Sequence, residues 1–242
     1  RLGIYKGEKN LEEFERKSGA GMILFIIFLI AFVGFIGYKY FRVAKIEVEG
    51  NVNLDSSYVA TLSGIVTDEN LFAINDDKVA DYINSDPYLE FFDLKRIYPS
   101  TVRIEVYERI PVALIIGSSN NYIVDKEGNV LESTNTNEYN LVTINGILLS
   151  SAVPGEKLLT QNAYDFDALV NIIRDVKYNE LLIVITKIDL SDINNIKMVT
   201  KEGINISFGQ AERVSEKIVW INAVLKELEE KGITKGKINV TS

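Results

Sequence analysis

The sequence predicts an α+β protein: one membrane-crossing helix, then a β-α-α-β-β domain, then a β-rich mixed-sheet domain with packed helices. Three observations carry this. An apolar run without a single charge fills Gly21 to Tyr38. Alternating apolar and polar residues then flank two short helical stretches between Val43 and Ile116. Beyond Gly117 come further short alternating runs, interrupted and followed by two amphipathic helical patterns.

Taken in order, residues 1–18 mix charges without a sustained apolar period and are expected to form a mobile tail. The chain opens on Arg1, not Met, so the reading allows a start inside a longer native chain. Residues 19–41 are read as a transmembrane helix. At about 1.5 Å per residue the run from Ala20 to Phe41 can cross a hydrocarbon core of about 30 Å. A cleaved signal peptide would carry a shorter apolar region and a small-residue cleavage site, whereas this run meets Tyr38, Lys39, Tyr40, Phe41 and Arg42, an interfacial belt. Arg16 and Lys17 on one side balance Lys39, Arg42 and Lys45 on the other, so charge does not set the orientation. Gly34 and Gly37 are too close for a G-x-x-x-G pairing face and read as small residues on a lipid-facing helix.

Val43 to Asn51 alternates Ile46 and Val48 with Lys45, Glu47 and Glu49, a half-buried strand. Asn53 or Asp55, and then Asn75 or Asp76, are expected N-caps of two short helices, the second presenting Val79, Tyr82 and Ile83 and ending at Pro87. After the turn at Tyr98-Pro99-Ser100, Val102, Ile104 and Val106 point inward against Arg103, Glu105 and Tyr107. Pro111 lacks a backbone donor and marks a strand exit where one domain gives way to the next.

Gly117 to Asn120 reads as a linker or turn, and YIVDKEGNVLE as a hairpin around Lys126-Glu127-Gly128-Asn129. Phe166, Leu169, Val170, Ile173 and Val176 form one helical face. ELLIVITKIDL reads as a buried strand, and IKMVTKEGINISFG as a hairpin with Ile204, Ile206 and Phe208 inward. Val214, Ile218, Ile221, Leu225 and Leu228 mark a long amphipathic helix closed by Gly232.

Composition excludes much chemistry. The net charge of -8 gives no basic surface for nucleic acid. Without histidine or cysteine there is no imidazole base, thiolate nucleophile or disulfide. Asp125 with Glu127, and Asp189 with Asp192, resemble carboxylate pairs, but each flanks a turn and is expected to sit in water or cap it. No phosphate-cradling glycine motif and no Ser-x-x-Lys motif occurs. Neither a cofactor nor a small-molecule substrate is expected.

The run YPSTVRIEVYERIPVALI, with Pro99, Thr101, Ile104, Val106, Glu108, Arg109, Pro111 and Ala113, resembles the signature of the FtsQ/DivIB family of bacterial cell-division proteins. Ile46, Val48, Gly50 and Asn70-Leu71-Phe72 resemble further family features, as do the hairpin at Asp125, Gly209 and Lys217. The resemblance implies that residues 42–112 are a POTRA domain just outside the cytoplasmic membrane, that 113–242 are the family's β domain, and that the tail is cytoplasmic. It implies a non-enzymatic scaffold at the division septum that binds FtsB/DivIC-like and FtsL-like partners. The last strand, Lys237, Ile238, Asn239, Val240, Thr241 and Ser242, would receive a partner strand by β-augmentation, although Ile238-Asn239-Val240 stands where the family usually has Ile-Asp-Leu. Glu108 and Arg109 are themselves expected to be solvated or paired at the surface. Two other readings are an anchored cell-wall glycan enzyme using two carboxylates, and a POTRA-containing translocation or assembly factor. The first lacks a local constellation, and a lone repeat on a membrane helix fits the second poorly.

Overall fold

The computed structural model describes residues 5–136 and 140–241, with 5–20 described by their backbone alone. The chain divides into two compact units, Arg1–Ala80 with Phe92–Glu105, and Asp81–Phe91 with Val106–Ser242.

In the first unit a single helix, α1 (Tyr5–Tyr40), contains the segment Gly21–Tyr40, long and apolar enough to cross a membrane. The helix also takes in most of the stretch expected to be mobile. Lys9 to Lys17 holds neither Gly nor Pro, and extending an existing helix adds a hydrogen bond per residue without a new nucleation cost. Residues 1–4 lie outside the described residues. Strand β1 (Lys45–Glu49) follows, then α2 (Ser56–Leu62) and α3 (Asp76–Asn84). Asp55 Oδ1 accepts from Ser57 N at 2.6 Å and Asn75 Oδ1 from Lys78 N at 3.0 Å, so one candidate of each expected pair caps its helix. Strands β2 (Leu89–Ile97) and β3 (Thr101–Glu108) complete a three-stranded sheet of order β1-β3-β2, with Lys45 opposite Thr101 and Glu49 opposite Glu105. Val102, Ile104 and Val106 are buried as the alternation requires, whereas Tyr82 on α3 is exposed. Arg96 donates to the carbonyls of Leu71 and Ile74, both at 2.9 Å, and so fastens the link between α2 and α3.

The second unit is built on an eight-stranded sheet. Its strands are β4 (Ala113–Ile116), β5 (Asn121–Val124), β6 (Val130–Thr134), β7 (Val142–Asn145), β10 (Ile185–Asp189), β11 (Ile196–Thr200), β12 (Asn205–Gly209) and β13 (Lys237–Asn239). They lie in the order β13-β12-β11-β10-β7-β4-β5-β6. A separate small ribbon pairs β8 (Leu149–Ser151) with β9 (Leu159–Thr160). Gly117 to Asn120 is the turn of the β4–β5 hairpin, since Ile116 faces Asn121. Two helices, α4 (Ala163–Tyr178) and α5 (Val214–Glu230), share one core with the sheet, burying Leu169, Ile172, Ile173 and Val176 from the first and Ile218 and Ile221 from the second. A smaller cluster of Leu114, Ile123 and Leu131 is joined by Tyr88 and Leu141.

One expected strand is shorter than its apolar run. Leu181–Ile183 forms a turn of 3-10 helix, entered through Glu180 at φ 59°, and leaves Ile183 exposed. A short apolar run fits either element by hydrophobicity alone; here the end of α4 feeds the chain into a tight turn, and pairing starts only at Ile185. The end of α5 is a Schellman closure: Gly232, at φ 67°, donates to Glu229 O at 2.9 Å and Ile233 to Leu228 O at 2.9 Å.

Candidate partner-binding edge

The two margins of the large sheet differ. At the β6 margin the segment 155–158 takes up the backbone of the strand's first residue and of the turn before it: Val130 N donates to Glu156 O and Gly155 N to Val130 O, both at 2.8 Å, and Leu158 N to Gly128 O at 2.9 Å. At the other margin β13 pairs on one side only, parallel to β12, with Ile206 opposite Ile238. Asn205 N donates to Gly236 O and Val240 N to Ser207 O, so residues 236, 238 and 240 turn their peptide groups toward β12. By the alternation of a parallel ladder, the N–H and C=O of Lys237 and Asn239 face outward. Among the described residues no strand pairs with that side.

The side chains follow the same alternation. Ile238 and Val240 are buried in the core, while Lys237, Asn239 and Thr241 are exposed. Asn239 Oδ1 accepts from Thr241 N at 3.1 Å and Oγ1 at 2.8 Å, which folds the chain end into a local turn. Ser242 lies outside the described residues.

What holds β13 in place lies behind it. Lys217 is buried on α5, and its Nζ donates to the carbonyls of Phe208 at 3.1 Å and Gln210 at 3.0 Å while lying 5.0 Å from the centre of the Phe208 ring. Burial holds its ammonium below the ordinary pKa of 10.5. These carbonyls flank Gly209, whose φ of 77° turns the chain out of β12. A groove of about 390 Å³ between α5 and β13 is lined by Arg213, Glu216, Lys217, Trp220, Asn239 and Val240.

The signature residues form other parts of the fold. Pro99 lies in the turn between β2 and β3, and Thr101 begins β3 opposite Lys45. Pro111 lies between β3 and β4. Glu108 and Arg109 depart from the surface expectation. Glu108 is only 5% exposed. Arg109 donates to the carbonyls of Pro87 at 3.2 Å and Leu89 at 3.1 Å and pairs with Glu90 at 3.0 Å. Its Nε has no hydrogen-bond partner and faces Asp125 Oδ2 at 3.9 Å. The physical reason is the chain's path: leaving β3, it passes alongside the start of β2, whose carbonyls demand donors.

The carboxylate pairs are turn chemistry. Asp125 is buried, not in water as expected, because it accepts from Glu127 N, Asn129 N and Asn129 Nδ2 at 2.7 to 2.9 Å and shapes the hairpin. Glu127 is exposed. Asp189 accepts from Ser191 N and Oγ, donors that hold its carboxyl below its ordinary value, and Asp192 accepts from Asn194 N. Among the described residues no group of three or more metal-ligating side chains gathers.

Two family models match the chain: the FtsQ-type POTRA domain over residues 41–109 and the C-terminal domain of cell division protein FtsQ/DivIB over 113–240. A cell division protein DivIB of Clostridium acetobutylicum is 31% identical over 67% of this chain and 65% of its own length, so the chain spans just under two thirds of that relative. The DivIB of Clostridium tetani is 29% identical over 84% of this chain and 77% of its own, and a cell division protein FtsQ of Corynebacterium glutamicum is 26% identical over 76% and 79%. The major extracytoplasmic domain of DivIB from Geobacillus stearothermophilus, a solved structure, aligns with a TM-score of 0.34 and 13% identity over 51% of this chain and 96% of its own.

Proposed function

Because this chain belongs to the FtsQ/DivIB family of cell-division proteins, we propose that it is a non-enzymatic scaffold of the division machinery, binding FtsB/DivIC-like and FtsL-like proteins outside the cytoplasmic membrane at the septum. Residues 1–18 lie inside, 19–41 cross the bilayer, and the POTRA domain (42–112) and β domain (113–242) stand outside. The observation that carries this reading is the one-sided pairing of β13. An unpaired strand margin is a template for another chain, and its backbone groups accept a partner strand largely regardless of side-chain identity.

The test separates pairing from folding. Asn239→Pro deletes an outward N–H and leaves intact the bonds of Ile238 and Val240 toward β12. Full-length chain, Asn239→Pro and a chain ending at Lys235 are each mixed with the organism's own DivIC-like and FtsL-like ectodomains, with circular dichroism as the folding control. The proposal expects capture by the first alone, with all three folded. Equal capture by all three would remove β13 from the interface, and capture by none would remove these partners.

A further inference from the structure

The POTRA unit is hydrogen-bonded directly to the end of the apolar helix. Asn70 Nδ2 donates to Tyr38 O at 2.7 Å, satisfying a carbonyl that the last helical turn leaves orphaned, and Leu71 N donates to Phe41 O at 3.0 Å. Arg42 forms an antiparallel bridge with Asn70. The link between α2 and α3 is thus pinned at the level of Tyr38 and Phe41.

Around this joint lies an aromatic patch. The Phe41 ring meets Phe72 and Tyr98 edge-on, each at 5.5 Å between centroids, and Phe72 and Tyr98 lie 5.9 Å apart. Phe72 and Tyr98 are each 59% exposed, an unusual state for neighbouring aromatics in water. Beside them a groove of about 470 Å³ runs from Gly34 and Gly37 on α1 to Phe72 and Ala73. Gly34 lies roughly 9 Å below Tyr40 along the helix axis, so the groove passes from hydrocarbon level to the interface. Lys39 and Arg42 are the chain neighbours of Tyr38 and Phe41; the Lys39 ammonium lies 5.3 Å from the centre of the Phe35 ring, and Arg42 donates to Asp68 O at 3.1 Å.

We propose that Phe41, Phe72 and Tyr98 form a lipid-seated foot: the POTRA unit rests on the outer leaflet, its two exposed rings at headgroup level and an acyl chain in the Gly34–Phe72 groove. This rests on the reading that α1 spans the bilayer. Continuity with the span selects lipid as the occupant, because the same groove wall is the helix surface that faces hydrocarbon. The chemistry agrees: rings with an apolar body, one bearing a hydroxyl, on a stretch of chain that also carries Lys39 and Arg42, suit the headgroup region.

The chain has no cysteine, so single nitroxide labels report without background. Phe72→Cys, Tyr98→Cys and the mid-span Phe28→Cys are labelled in the full chain, reconstituted in bilayers of equal parts phosphatidylethanolamine and phosphatidylglycerol. Access to oxygen and to a water-soluble nickel chelate is then compared. The proposal expects labels at 72 and 98 to lose nickel access while keeping oxygen access, at a depth shallower than 28. Labels at 72 and 98 reading as water while 28 reads as bilayer would overturn the foot and leave the span standing. If 28 also reads as water, the span fails and the foot with it. Exclusion of both reagents at 72 and 98 would mean protein contact between copies, and would overturn lipid seating. Because labelling alters the patch, Phe72→Trp in a Trp220→Phe background gives a second reading, expected to be quenched by lipids brominated near the headgroup. No quenching there would count against the foot.

Discussion

Gly209 passes so close to Thr241 that a Cβ on the glycine would lie 3.1 Å from the Thr241 Cα. The glycine also sits at φ 77°, where an L side chain is strained. Gly209→Ala is therefore expected to lower stability by about 1 to 2 kcal/mol, measured by urea unfolding, and to displace the end of β13. Gly209→Asn, a residue that tolerates left-handed backbone, should cost less. If the alanine variant matches wild type in both stability and partner capture, the close approach has no consequence.

Lys217 gives a pH signature. The folded chain gives up this proton more readily than the unfolded chain, whose lysine holds it up to its ordinary 10.5. Between the lowered value and 10.5 the unfolded state binds more protons, so stability from this residue rises with pH across that window; below it the burial penalty is fully present. Lys217→Met should flatten that alkaline rise, seen as urea midpoints across the window. It should also cost about 1 to 3 kcal/mol at neutral pH, because two carbonyls lose their donor. An unchanged slope would dissociate the residue from the alkaline behaviour.

Arg109 should not tolerate lysine. A planar fork serves the Pro87 and Leu89 carbonyls and Glu90 together, whereas an ammonium on a flexible stem reaches fewer of them. Arg109→Lys is expected to cost about 2 kcal/mol. A double-mutant cycle with Asp125→Asn should return coupling of about 0.5 kcal/mol or more, as for groups sharing one network. Additive effects would mean that the 3.9 Å approach contributes nothing.

Local patterns were the legible part of the fold. Alternation located β3, helical spacing located α4 and α5, and cap residues such as Asp55 marked where helices begin. Long-range relations were not legible: nothing local says that β7 lies parallel to both β4 and β10. Burial of acids at turns is illegible for the same reason, since Asp125 acquires its donors only after the hairpin closes. For the site, the terminal strand is marked in the sequence by family resemblance, but its supports carry a signal of their own. Lys217 falls on the apolar stripe of α5, three residues from Val214 and four from Ile221, and a lysine there must find acceptors in the core.

The two sheet margins carry unequal cover: the segment 155–158 bonds Val130 at the start of β6 and the turn before it, whereas at β13 the peptide groups of Lys237 and Asn239 turn outward. Under the proposed pairing a chain added at β13 would occupy that margin, so two partners would compete for it and could not bind there together. Were two copies to meet through β13, the contact would be self-complementary, a twofold pair.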